Sequence, residues 1–116
     1  MIYKKNWKYI IIKDDSYWCK DYKYHRIKSL KDFSDVAKGD LGGYVQGYHN
    51  LSQFGDCWIY GNSRVSEHAR IIDNAKVINN AWIMDNAIIS ENAVISQIRI
   101  FGNAIVSGFT FRDVPF

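Results

Sequence analysis

CWIYGN SRVSEH ARIIDN AKVINN AWIMDN AIISEN AVISQ IRIFGN AIVSGF, residues 57–109, is a ladder of sixes with one five-residue step. One column of it is Ile59, Val65, Ile71, Val77, Ile83, Ile89, Ile95, Ile100 and Val106. Four residues after each aliphatic comes a small one: Ser63, Ala69, Ala75, Ala81, Ala87, Ala93 or Ala104, with Ile98 in that slot of the short repeat. Immediately before the small residue stand Asn62, His68, Asn74, Asn80, Asn86, Asn92 and Asn103. A helix cannot use this pattern, because a period of six advances about 600° around a helical wheel and scatters the aliphatics. A β-solenoid can, since each six then supplies one short strand and one corner, with strands stacked about 4.8 Å apart. The aliphatic points into the core, the small residue fills the corner, and the Asn column is expected to carry the positive φ of the bend.

The ladder resembles the hexapeptide signature of left-handed parallel β-helices, and the handedness is what that resemblance implies. Three sixes make one triangular coil, so residues 18 apart should stack, except across the short step. The expected fold is all-β. It has a β-rich head with a β-hairpin over 1–45, a left-handed β-helix of three to four coils over 46–110, and a capping tail over 111–116. In that tail Phe109, Phe111, Val114 and Phe116 would cover the open end, whose unpaired backbone invites edge association.

Upstream of the ladder, WKYIIIK (Trp7 to Lys13) reads as a strand, Asp14 to Ser16 as its turn, and Tyr22 to Lys28 as a second strand of a hairpin. Ser29 to Lys38 reads as a connector of about one helical turn. The three glycines of GDLGG (39–43) read as tight bends at the corner that leads into the solenoid, because neither phosphate-loop nor dinucleotide spacing is present. Leu51 and Phe54 are the expected apolar anchors of an irregular first coil.

Composition narrows the classes. With 47% hydrophobic and 16% aromatic residues among 116, the chain is expected to fold as one domain. No apolar run approaches the ~18 residues of a membrane span, and Ile10 to Ile12 is too short for a signal sequence, so a cytoplasmic location is expected. Cys19 and Cys57 lack metal spacing, and Cys57 occupies a core-facing slot, so it reads as a buried free thiol. Residues 1–50 hold ten Lys or Arg against six Asp or Glu, whereas 51–116 hold five against six, so the basic half is N-terminal.

Residues 25–65, HRIKSLKDFSDVAKGDLGGYVQGYHNLSQFGDCWIYGNSRV, resemble a family of small phage and prophage proteins. In that family a β-rich head ending in GDLGG leads through an NLS segment and a CW or AW step into hexapeptide repeats. The resemblance implies a fold and a mobile-element origin, and it carries no catalytic motif.

Flanking the inward aliphatics, outward positions are unusually apolar or aromatic, which marks an interface. Trp58 and Tyr60 lie on one face; Arg64, Trp82, Met84, Arg99 and Phe101 lie on the next, with Arg64, Trp82 and Arg99 expected to stack as a cation–π column. These seven are the candidate partner-binding residues. The expected function is a non-enzymatic binding module, acting on a host protein such as a defence effector in the manner of an anti-CRISPR inhibitor, with homo-oligomer formation expected as well.

Two other readings stand beside it. Hexapeptide β-helices include trimeric acyltransferases that use CoA esters, and here His49 or His68 would be the general base, although no catalytic constellation can be assembled and no cofactor or metal is expected. The basic aromatic strand Tyr22, Lys23, Tyr24, Arg26 and Lys28 could also contact single-stranded nucleic acid by stacking and phosphate contacts.

Overall fold

A computed structural model describes residues 6–108 together with the backbone of 110–112. The chain is a β-solenoid of about four turns with mostly parallel strands, preceded by an antiparallel hairpin. The hairpin is β1 (Tyr9–Cys19) and β2 (Tyr22–Ser29), and β3 (Leu41–Val45) follows. Nine rungs come next: β4 (Trp58–Ile59), β5 (Arg64–Val65), β6 (Arg70–Ile71), β7 (Lys76–Ile78), β8 (Trp82–Ile83), β9 (Ile88–Ser90), β10 (Val94–Ser96), β11 (Arg99–Ile100) and β12 (Ile105–Ser107). A last rung, β13 (Thr110–Arg112), pairs in parallel with β10, so the ladder continues into the expected tail. The capping expected of Phe109, Phe111, Val114 and Phe116 falls outside the described residues and side chains.

Every third rung stacks. One wall is β4, β7, β10 and β13, a second is β6, β9 and β12, and the third is β1, β2, β3, β5, β8 and β11 in spatial order. The predicted columns are present: Trp58 beside Lys76 beside Val94, Arg64 beside Trp82 beside Arg99, and Arg70 beside Ile88 beside Ile105. Inside, Ile59, Val65, Ile71, Val77, Ile83, Ile89 and Ile95 are fully buried, as are Ala69, Ala75, Ala81, Ala87 and Ala93 at the corners.

The bend itself is built differently from the expectation. Positive φ falls one residue earlier than the Asn column, on Glu67, Asp73, Asn79, Asp85, Glu91 and Gln97 and on Gly61, Gly102 and Gly108; within the Asn column only Asn80 shares it. His68 is therefore no αL residue. The side chains at these corners instead tie coil to coil. Asp73 accepts the Glu91 amide at 2.9 Å, Asp85 the Gly102 amide at 2.8 Å, and Asn74 the Asp56 amide at 3.1 Å.

The segment ahead of the rungs departs from expectation in several places. β1 runs on to Cys19, and Asp14 to Ser16 are not its turn; the register slips between Ile12 and Ser16, and the reversal comes at Lys20, whose φ is +57°. The connector contains a tight turn closed by mutual Phe33–Val36 hydrogen bonds, with no helical turn. Phe54 is 84% exposed, whereas Leu51 is buried as expected. The reason is a local insertion. Leu51 stacks on Ile71, a step of 20, while Trp58 stacks on Lys76, a step of 18, so two extra residues between Leu51 and Trp58 push the Phe54 loop outward.

Gly42 and Gly43 are buried strand residues and serve close approach, not bending. A Cβ on Gly43 would lie 2.3 Å from the Ser63 carbonyl oxygen, and one on Gly42 would lie 2.7 Å from the Ile59 carbonyl and from the Trp58 ring. Backbone cannot yield there as a flexible side chain could, so Gly43→Ala should destabilise the fold by about 3 kcal/mol in urea unfolding. Ser63 makes the opposite case. It holds a corner slot that Ala fills in other coils, and its buried hydroxyl has no hydrogen-bond partner. Removing that orphan should stabilise, so Ser63→Ala is expected to raise the unfolding free energy by about 1 kcal/mol.

Candidate protein-binding face

The third wall is where the candidate residues gather, because the hairpin joins the solenoid there. β3 pairs antiparallel with β2 and parallel with β5, which sets Tyr44 directly above Arg64 in the outward column. The Arg64 guanidinium lies 3.8 Å from the centre of the Trp82 ring, and Arg99 lies 5.2 Å from the same ring. The predicted indole between two guanidiniums is formed, and the Trp82 N–H donates to buried Ser66 at 3.2 Å.

The column continues upward into the head. Arg26 stacks over Tyr44 at 4.4 Å, donates to its hydroxyl and to the Gly42 carbonyl, and pairs with Asp15 at 3.0 Å. The register slip in β1 brings Tyr17 opposite Tyr24; their rings stack at 5.5 Å, and Tyr17 meets Tyr44 edge-on at 4.9 Å. Tyr17 also accepts a hydrogen bond from Arg64 at 3.2 Å, and Arg64 sits 5.6 Å from the Tyr24 ring. Burial raises the Tyr24 pKa above its usual value, with the Arg64 charge acting in the other direction.

The wall is thus divided. At the head end Arg64 is engaged by Tyr17, Tyr24 and Trp82. At the far end Arg99 is exposed, Phe101 is 61% exposed, and Trp82 and Met84 are half-buried. Around the corner Ile105 is 73% exposed. Ile105 is outside the seven candidates, although it holds the same repeat position as Trp82 and Arg99.

Two of the seven candidates are corrected or reduced. Trp58 is only 1% exposed and cannot meet a partner, because Tyr9 and Phe33 pack edge-on against it, Phe33 at 5.3 Å. Tyr60 is half-buried. Its hydroxyl donates to Asp35 at 2.6 Å, which holds the Asp35 carboxyl below its usual range, and Asp35 also meets Lys76 at 3.8 Å.

The nucleic-acid set is likewise dismantled as a strand-wide surface. Tyr24 is fully buried and Arg26 is committed to Tyr44 and Asp15, which leaves Tyr22, Lys23 and Lys28 exposed. The physical cause is the register slip, which folds this side of β2 against the Arg64 column.

Other chemistry-bearing groups are placed as follows. His49 and His68 share a depression of about 410 Å3 with Glu67, and the His49 Nε2 lies 2.7 Å from the Glu67 carbonyl oxygen. Asn50 is fully buried; its Oδ1 accepts the Gln46 and Gly47 amides, and its Nδ2 donates to the Glu67 and Ala69 carbonyls. Cys57 is buried, as expected of a free thiol. Its partner was not anticipated: the Nζ of fully buried Lys8 lies 3.3 Å from Sγ and donates to the Cys57 and Gly55 carbonyls at 2.7 and 3.2 Å. Burial lowers the Lys8 pKa and raises that of the thiol, opposite to what an activated thiolate needs. A depression of about 860 Å3, walled by Trp7, Phe33 and Phe54, opens beside this pair and away from all three histidines. Among the described residues no cluster could hold a metal ion, and no helix is long and apolar enough to cross a membrane.

No family model matches the chain, and no curated protein matches it.

The two arginines of the column should behave differently. Arg64 is half-buried, hydrogen-bonded to Tyr17 and stacked on the Trp82 ring, so Arg64→Ala should cost about 2 kcal/mol of stability. Arg99 is exposed at a longer ring distance, and Arg99→Ala should cost less than about 1 kcal/mol. Parallel urea titrations check the order.

Proposed function

We propose that the chain is a non-enzymatic protein-binding module whose working surface is the far end of the third wall: Trp82, Met84, Arg99 and Phe101, extended by Ile105. The observation that supports this most is the combination of exposure and rigidity. Phe101 and Ile105 are 61% and 73% exposed, and the guanidinium of Arg99 is backed by an indole that Arg64 holds from the other side. A large apolar side chain and an arginine held on a stiff sheet lose little entropy on binding, and such residues dominate interface energies. Arg64, spent on holding the hairpin, contributes through Trp82 and not by contact.

The origin of the module rests on the resemblance of residues 25–65 to small phage proteins. Together with size and the lack of a catalytic motif, that resemblance supports a host protein as target and inhibition of a host defence system, in the manner of anti-CRISPR proteins, as the outcome.

Capture from host lysate with immobilised wild type and with Arg99→Ala and Phe101→Ala tests the surface. Both variants should melt within a few degrees of wild type and retain the target at least about tenfold more weakly, the loss expected for a single interface anchor. Undiminished capture by both variants removes the surface from the account. The acyltransferase reading would draw on His49 and His68 in their shared depression; it requires heat on titration with acetyl-CoA, and the binding-module reading predicts a flat titration.

A further inference from the structure

Where the hairpin passes the start of the first coil, a depression of about 500 Å3 is lined by Ile11, Lys13, Lys23, His25, Gln46 and Tyr48. Gln46 also lines the depression that holds Tyr22, His49 and His68, so the two share a wall. All three histidines of the chain border this strip. No part of it belongs to the binding face described above.

Its upper end has the character of an anion site. Lys13 and Lys23 are exposed, and the two ion pairs found among the described residues, Arg26–Asp15 and Lys76–Asp35, use neither. The His25 Nδ1 is shielded from solvent and has no hydrogen-bond partner, a state that a native structure tolerates poorly. That shielding keeps a ligand off Nδ1 itself, but an anionic oxygen placed in the depression would meet both ammonium groups and lie within electrostatic reach of the imidazole ring. The groups around the imidazole agree: Lys23 on its own strand and Lys13 on β1 are the charges that reach it, while Val45 opposite it on β3, and Gln46 and Tyr48 beside it, are neutral. Glu67 is the one carboxylate on the strip, at its far end. That lower end offers a 39% exposed aromatic ring, Tyr22, beside His49. Aromatic faces next to a cationic phosphate site are how a nucleotide unit is held without base-specific contacts.

We propose that this strip binds a nucleoside phosphate, with the phosphate among Lys13, Lys23 and His25 and the base carried past Gln46 towards Tyr22 and His49. A free nucleotide and single-stranded nucleic acid present the same unit. The combined space, about 500 Å3 and 410 Å3, is that of a small-ligand site. Burial, then Lys23 and Lys13, hold the His25 pKa below its ordinary value in the free protein. The negative charge of a bound phosphate offsets the two lysines and raises it. The protonated protein therefore binds more tightly, and affinity for the phosphodiesters of an oligonucleotide, whose charge is constant there, falls as pH rises through the titration range of His25.

Two measurements on the full chain test the site. The first is the pH titration of the His25 imidazole by NMR, with and without adenosine monophosphate; the second is calorimetry with that nucleotide and with an oligothymidylate of about ten residues, a length that spans a typical single-strand site. The expected results are an upward shift of the His25 midpoint on adding nucleotide and binding that Lys13→Ala with Lys23→Ala weakens at least about tenfold. The same double variant should lower the log–log salt slope for the oligonucleotide by about one per lysine removed. His25→Gln should bind the oligothymidylate, whose phosphodiesters do not titrate in this range, with a weaker pH dependence than wild type. Both lysines are exposed, so an unchanged unfolding temperature confirms that the variants fold. Tighter binding of the oligonucleotide assigns the site to nucleic acid, and equal binding assigns it to free nucleotide; either upholds the proposal. An unmoved His25 midpoint with no heat from either ligand overturns it, as does binding that the double lysine variant leaves unchanged.

Discussion

A single strand, β3, is hydrogen-bonded on both sides, antiparallel to the hairpin and parallel to the solenoid, and the rest of the molecule depends on that double engagement. The Tyr44 amide donates to the Ser63 carbonyl at 3.0 Å, and the strand can come this close only because Gly43 puts no Cβ in the way. A solenoid has an open edge at each end, and an unpaired edge invites association. On the third wall the first edge is closed by the chain's own hairpin. The head is therefore a continuation of one wall, and not a separate lid laid on the end.

From that continuity follows the division of the outward surface. Because the hairpin extends the third wall, its aromatic residues meet the top of the Arg64 column, and the same side chains that look like an interface in the repeat become tertiary packing. Arg64 and Tyr24 are used internally, as is Trp58 on the neighbouring wall, where the segments around Tyr9 and Phe33 cover it. Further along, no described head residue reaches, and Arg99, Phe101 and Ile105 stay outside. Exposure is thus set by how far the head extends and not by the repeat itself. The nucleotide strip has the same origin: it forms in the angle between hairpin and first coil, which exists only because the two are joined through β3.

The ladder was legible in the sequence because solenoid contacts are periodic: a fixed step places Ile83 on Val65 and Trp82 on Arg64, and the shortened step before Ile100 keeps Arg99 over Trp82. What the repeat could not convey was non-local. Trp58 occupies an outward slot, and its burial depends on Tyr9 and Phe33, which no spacing connects to it. Phe54 looks like an anchor until the two extra residues of the first coil are counted. The bend was misassigned by one position because Asn and Asp tolerate the same backbone, and the residue before the Asn column is the one that turns. Lys8 gave no signal, since a buried lysine is recognised only once the Gly55 and Cys57 carbonyls are found facing it. Of the candidate site, the stacked column was readable; which of its members remain free was not.

Native-state hydrogen exchange compared across β3 tests the central claim most directly. If hairpin and solenoid are one unit joined through this strand, the amides of Ile27 in the hairpin, Tyr44 in β3 and Trp82 in the ladder should exchange with the same opening free energy and the same denaturant dependence. Ile27 opening at markedly lower free energy than Trp82, with Tyr44 following the solenoid alone, would contradict it and make the head an independent appendage.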